Sequence, residues 1–438
     1  MMEKKIFIGT KEIAGYGSRL KYGFKQLGIS CDFYDFEKTS FSYGLNDNDK
    51  IKYIEKIKNI IYNIYPYTKG INKVISNIKY YYYLISFFIY SLFHYNIFIF
   101  LNSSGFLNLK KFDYFILKLF RKFLIFVSLG SDTRPPYMNG SVLNKIKFSV
   151  SRCYTITKRK YNDIKIIEKF SDVIINYHPH AQFLTKPFVS GMYIGMPSPK
   201  ADDYKDIESI NDDNVLNKAR SDPRKIKILH APSDPISKGT FIIDDIINRL
   251  KDEGYDILYV KLQNMPNSEV ISHIRTSDFI INQVYSDSPF SMLSVEAALY
   301  KKPSVTSGYY VDYIEKDLDS NLIPATIFVH PDKLYDVCKK LCDSKKLCEE
   351  NGEKSYNFVK ENYTPEIVAK KFLKLIDKNY SSDLFKDPKK IDYFYGYGLP
   401  EEKLKEFLRL YIDNYGEKAL FLNHNIKLKN DILKFLER

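Results

Sequence analysis

The chain has 438 residues, 45% of them hydrophobic and 27% charged. That is too long for one hydrophobic core, and the balance excludes a disordered, fibrous or collagen-like chain. The net charge is +13, and the whole excess lies in residues 1–195, the remainder being slightly acidic. A basic half-molecule suits an anionic partner such as a phospholipid surface or a lipid-linked phosphate, or is simply a solubilising surface. Nucleic acid is not expected, because no recognition motif accompanies the charge.

The five cysteines, Cys31, Cys153, Cys338, Cys342 and Cys348, are odd in number, and no further metal ligands lie near them. They read as reduced thiols, which favours the cytoplasm over a disulfide scaffold or a zinc site. MMEKKIFIG is a short charged start that runs at once into a strand, so no signal peptide is expected.

In chain order, Lys5–Gly9 (KIFIG) is an apolar strand and Ala14–Arg19 (AGYGSR) a glycine-containing turn. Leu20–Leu27 has helical spacing, and Cys31–Tyr34 resumes a strand. Tyr80–Leu101 carries no formal charge and has the length of a membrane span. Its phenols are spread along the run, however, and the pattern turns strand-like after Asn96. It reads as a helix followed by a buried strand, IFIFL, with a partly exposed helix resting on a bilayer as an intermediate case. FLIFVSL (Phe123–Leu129) is a strand emptying into Gly130–Arg134 (GSDTR). DVIIN (Asp172–Asn176) is another, followed by the loop YHPH.

After Gly195 the sequence becomes polar and linker-like. Lys225–His230 then restarts the cycle: KIKILH, the loop APSDPISKG, a helix, ILYVKL, a polar helix, DFIINQV, the helical stretch around SMLSVEAAL, and PSVTSG. Strands alternating with helices predict a second doubly wound parallel sheet. From about Pro331 the chain reads as helical, ending in a charged, tyrosine-bearing appendage.

Two such domains leave a cleft at the carboxyl ends of their strands, and polar residues just after strands are the candidates. Lys238, with Ser237 and Gly239 in SKGT, is placed at a helix start, where an ammonium and free amides can hold an anion. The alternative is an ordinary exposed turn. Glu296 sits among apolar helix residues, where a carboxylate needs partners. There it can accept hydrogen bonds from a ribose diol, or it is a half-exposed helix residue. The amides around Gly15 and Gly17 can face a diphosphate, or the glycines merely serve a tight turn. Asp132 can bind sugar hydroxyls, pair with Arg134 or cap a helix. His178 and His180 follow a strand without further zinc ligands, and His178 is kept, with Arg134, as an acceptor-side candidate. The acid pairs Asp47–Asp49 and Asp317–Asp319 read as solvated turns.

Together these segments resemble glycosyltransferases of the GT-B fold, family-four type. HAPSDPISKGT, SDFIINQV and SVEAALYKKPSVTSG carry the likeness, through Lys238–Gly239, Ser277–Asp278, Glu296–Ala297 and Lys302–Pro303. FVSLGSDTR resembles the first-domain turn of bacterial polysaccharide members. The likeness spans roughly residues 5–377. It implies that Glu296 meets the nucleotide ribose, that Lys238 neutralises the donor diphosphate, and that Gly15 and Gly17 face donor phosphates or acceptor. It departs from the family pattern at Ser288, eight positions before Glu296 where a glutamate is common, and at Pro232, where an arginine is common. Asp287, beside Ser288, is a candidate to take over part of the missing glutamate's role.

The implied architecture is an acceptor-side Rossmann-like domain over 1–195, a linker over 196–222, a nucleotide-sugar domain over 223–379 and a helical tail over 380–438. The implied activity moves a sugar from a nucleotide-diphosphate donor to a glycan or lipid-linked acceptor in bacterial envelope polysaccharide synthesis. It would proceed with retention, without metal or other cofactor, in the cytoplasm or at the inner face of the membrane, with Lys238 and Asp132 as catalytic candidates. The alternative is a GT-B scaffold that binds glycan or a protein partner without transfer. A nicotinamide enzyme is disfavoured, because GYGSRL has Leu20 where a third glycine belongs.

Overall fold

A computed structural model describes residues 3–36, 52–60, 64, 69–102, 105–107, 110–199 and 225–437. Asp47–Asp49 and most of the expected linker lie outside these residues. The strands are β1 (Lys5–Thr10), β2 (Ser30–Asp35), β3 (Ile97–Leu101), β4 (Phe123–Val127), β5 (Val173–Asn176) and β6 (Phe188–Ser190), then β7 (Ile226–His230), β8 (Ile257–Lys261), β9 (Phe279–Gln283), β10 (Ser304–Ser307), β11 (Ile327–Val329) and β12 (Phe385–Lys386). They form two sheets, ordered β12-β6-β5-β4-β3-β1-β2 and β11-β10-β9-β7-β8. All pairings are parallel except β12 on β6.

Unbroken apolar runs become central strands because helices cover both faces of a parallel sheet. Alternation then sorts the side chains by face. Phe7, Phe98, Phe100 and Phe126 point into an aromatic-rich core, while Ile6, Ile8, Ile99 and Ile125 point into an aliphatic one on the other face. The aromatic side is covered by the Gly70–His94, Lys110–Leu119 and Val150–Phe170 helices. The aliphatic side is covered by the Tyr16–Gln26 and Pro365–Ile376 helices, which approach so closely that a Cβ on Gly23 would lie 2.0 Å from the Pro365 carbonyl oxygen.

The uncharged run that could have spanned a bilayer is a helix through His94 followed by the buried strand β3. No helix among the described residues is long and apolar enough to cross a membrane. The tail belongs to the first sheet's layer. β12 extends that sheet, and the Glu401–Tyr415 and Ile426–Glu437 helices bury Leu404, Leu408, Leu428 and Ile432 in the aromatic core. Tyr154 and Tyr415 stack at 4.2 Å. Asp317, expected in a solvated turn, is half-buried and accepts from the Tyr310 hydroxyl at 2.9 Å. Burial pushes its carboxyl up to about 6.

Candidate functional site

The carboxyl ends of β1, β4 and β5 face those of β7, β8 and β9 across two adjoining cavities of about 430 and 220 Å3. The larger is walled by Leu262, Asn264 and Met265 after β8, by Pro232 and Ser233 after β7, and by Ala14 and Leu129 from the first sheet. Lys238 and Glu296 both line it.

Glu296 lies one turn into the Met292–Leu299 helix, whose N-cap Ser291 accepts from the Ser294 amide. It is 3% exposed. The Asn267 side-chain amide donates to Oε1 at 3.2 Å, and the Arg19 guanidinium, from the first sheet's layer, stands 3.8 Å from the same oxygen. Arg19 is itself 1% exposed and also donates to the Ala14 carbonyl. A buried carboxylate here is therefore held by polar partners on both sides of the cleft, as burial requires.

The smaller cavity holds a second cross-cleft cluster. Arg134, after β4, donates to Asp287, after β9, through Nε to Oδ2 at 2.5 Å and through a terminal nitrogen to Oδ1 at 2.9 Å. His180 Nε2 lies 3.0 Å from Asp287 Oδ2, and its Nδ1 has no hydrogen-bond partner among the described residues. Burial alone would raise Asp287, but Arg134 and His180 together hold its carboxyl at about 2. Burial lowers His180, and its Nε2 also lies 2.8 Å from a terminal nitrogen of Arg134, so the ring nitrogen sits between the guanidinium and the carboxylate.

Lys238 lines both cavities, and its ammonium bonds the Gln283 side-chain oxygen. Burial draws it down to about 8, against the pull of Asp287. Tyr397, from the tail, lies over both cations: Arg134 is 4.6 Å and Lys238 5.9 Å from its ring centroid. The Tyr397 amide donates to Met138 and its carbonyl accepts from Gly140, while the Gly398 amide donates to Tyr285. One short segment of the tail thus bonds both sides of the cleft.

The expected residues are only partly brought together. Lys238, Asp287, Ser288 and Arg134 share the smaller cavity, and Glu296 joins Lys238 in the larger. Lys238 closes the one-turn Pro235–Lys238 helix rather than starting one, and Gly239, at φ 71°, begins the next helix where a Cβ would meet Val284 at 2.7 Å. Ser237 is buried and bonds Asp234, so it shapes this turn.

The amides of Gly17 and Ser18 are engaged within the chain. The Glu12 carboxylate already accepts from Gly17 at 3.0 Å and Ser18 at 3.1 Å, and Gly15 lies against the Arg19 guanidinium. Asp132 turns back to accept from Ser128 and the Leu129 amide, and is not among the residues lining either cavity. His178 packs against Phe188 with its ring centroid at 5.3 Å, and burial draws it down to about 3; His180 takes the place in the cleft. Sequence reasoning missed Arg19, Asn267 and Tyr397. Arg19 stood inside the glycine turn AGYGSR, whereas Asn267 and Tyr397 belong to no motif.

No family model matches the chain, and no curated protein does. Solved structures are similar in fold. The catalytic domain of starch synthase IV from Arabidopsis thaliana, bound to ADP and acarbose, matches 86% of this chain and 99% of its own at TM-score 0.52 and 10% identity. The α,α-trehalose 6-phosphate synthase of Burkholderia multivorans matches 86% of this chain and 99% of its own at TM-score 0.51 and 8% identity. At such identity the likeness concerns the fold. That fold is GT-B: two doubly wound Rossmann-like units facing a cleft, here with a C-terminal helical appendage.

Proposed function

We propose that the protein is a glycosyltransferase that takes a sugar from a nucleoside-diphosphate donor. The observation that carries this reading is the shared cavity of Lys238 and Glu296, at the carboxyl ends of two facing parallel sheets. A carboxylate accepts from both hydroxyls of a ribose, and an ammonium one cavity-width away neutralises a diphosphate. The apolar Leu262, Met265 and Val270 offer a surface for a base. The smaller cavity, with Asp287, Ser288, His180 and Arg134, is the place for the sugar and the attacking hydroxyl.

In this reading the bond from the anomeric carbon to the diphosphate oxygen breaks as the bond to the acceptor oxygen forms. The acceptor proton passes to the departing phosphate, and the anomeric configuration is retained. Lys238 meets the charge that grows on the leaving group. Closure of the cleft excludes water that would hydrolyse the donor. The family-four motif residues and the basic N-terminal half support an acceptor that is a glycan or a lipid-linked glycan in envelope polysaccharide assembly, held at the inner face of an anionic membrane. Residues 1–195 take the acceptor side and 223–379 the donor side.

The test is thermal unfolding of the protein with UDP, GDP, CDP and ADP, beside Glu296→Ala. A ligand that binds only the folded state stabilises by about 2.7 kcal/mol at a hundred times its dissociation constant. One nucleotide should raise the midpoint of the wild type and not of the variant. No shift with any of them sinks the donor reading and leaves a GT-B scaffold that binds glycan or protein without transfer.

A further inference from the structure

The Gly70–His94 helix has two apolar faces and only one of them is used. Leu84, Phe87, Phe88 and Leu92 are buried in the aromatic core. Ile71, Val74, Ile78, Ile85, Ile89 and Phe93 recur at helical spacing on the other side and are exposed, Ile71 at 79% and Phe93 at 72%. The neighbouring Lys110–Leu119 helix adds exposed Phe115 and Leu119. Phe120 just beyond it meets Phe93 with ring centroids 5.8 Å apart, so the two helices present one continuous surface. Most of the exposed large apolar side chains among the described residues lie here. Isolated exposed apolar residues are ordinary, but a contiguous patch marks a contact surface.

The exposed charge that these two helices and their ends show among the described residues is basic. Lys69, Lys73, Lys79 and Arg121 are exposed beside it. The Gly70–His94 helix contains no acidic residue, and the one acid of the Lys110–Leu119 helix, Asp113, is buried and accepts from the Leu107 amide. Exposed Tyr81, Tyr82 and Tyr90 add amphipathic rings of the kind that settle at headgroup depth. The helix is about 38 Å long at 1.5 Å per residue, yet its other face is locked into the core, so it lies flat against whatever it meets.

We propose that this two-helix face docks the protein onto a bilayer containing anionic phospholipid, the apolar stripe entering the interface and the lysines meeting the headgroups. The inference deepens the transferase reading by naming the surface on which a lipid-linked acceptor is met. It rests on that reading only for the acceptor. A crossover helix runs antiparallel to the strands it joins. The Gly70 end of the face therefore lies on the side of the strand carboxyl ends, where the cleft opens.

The experiment is flotation of the full-length protein with vesicles of phosphatidylcholine alone and of phosphatidylcholine mixed with phosphatidylglycerol, at low and high salt. The wild type should float with the mixed vesicles at least about tenfold better than with neutral ones, and less in high salt. Ile78→Glu with Ile85→Glu, at exposed positions, should abolish flotation while keeping the wild-type unfolding midpoint. Lys73→Glu with Lys79→Glu should abolish only the preference for the anionic lipid. Absence of flotation in the wild type, or flotation untouched by the isoleucine changes, overturns the proposal. So does a dimer, seen by light scattering, that those changes dissociate, because a second copy then covers the face. Vesicle binding requires no nucleotide, so a protein that floats but shows no nucleotide shift counts against the donor reading alone.

Discussion

Arg134 and Asp287 form a two-pronged ion pair across the cleft, at 2.5 and 2.9 Å, with both side chains almost fully removed from solvent. They sit on different sheets, so the pair fixes one GT-B unit against the other. A buried pair is costly to break from one side, because the surviving charge stays buried. Arg134→Ala should therefore destabilise by about 3–5 kcal/mol in urea unfolding. The double change with Asp287→Ala should lose less than the two singles summed. Strict additivity would mean that the contact carries no coupling.

Acid stability follows from the same carboxylate. Asp287 stays ionised down to about 2 in the fold, below its ordinary 3.8. A depressed acid contributes stability that is complete above the unfolded value and fades as pH falls toward the folded one. Unfolding midpoints should thus drop between about pH 4 and pH 2, and Asp287→Asn should flatten that part of the profile. An unchanged slope in the variant would assign the loss to other carboxylates.

Lys238 gives a dependence at the opposite end. Burial lowers it to about 8, so the free protein loses this charge in mildly alkaline solution. Affinity for the nucleoside diphosphate that binds should weaken above about pH 8, approaching tenfold per unit where one proton is required. Titration calorimetry across that range checks it. In Lys238→Arg, whose charge does not titrate there, the curve should be flat; a flat curve in the wild type removes Lys238 from the phosphate site.

Residues 1–379, cut before the tail, should not unfold cooperatively. The missing helices bury Leu404, Leu408, Leu428 and Ile432 in the aromatic core, and β12 is lost from the sheet edge. Loss of even one such side chain costs about 2–5 kcal/mol. Calorimetry of the truncated chain showing a sharp transition near that of the full chain would make the tail an accessory.

The sequence reveals the strands whose physics is local. IFI in KIFIG, IFIFL and VII in VIIN are uninterrupted apolar runs, which suit a sheet covered on both faces. β6, β11 and β12 are two or three residues long and have no pattern to read. Lys238 and Glu296, which line one cavity, stand out in the sequence because an acid among alanines and a lysine before glycine are conspicuous. What the sequence leaves open is the direction of each side chain. Asp132 and Arg134 are two positions apart, yet one folds back on its turn and the other crosses the cleft. His178 and His180 divide in the same way between core and cavity. Gly15 and Gly17 suggested a phosphate cradle, but the anion at the Gly17 amide is the chain's own Glu12. Tyr397 carried no local sign, because its role depends on a tail returning from far along the chain.

That return has a consequence for how the protein is made. Synthesis runs from the N-terminus, and domains ordinarily fold in that order. Here the sheet that begins at Lys5 ends at Lys386, and its aromatic core is sealed by helices reaching Glu437. The five strands of the second sheet are all complete by Val329. The half that is translated first is thus the half that finishes last. Its apolar faces wait for a closing piece that is translated only after every strand of the second sheet.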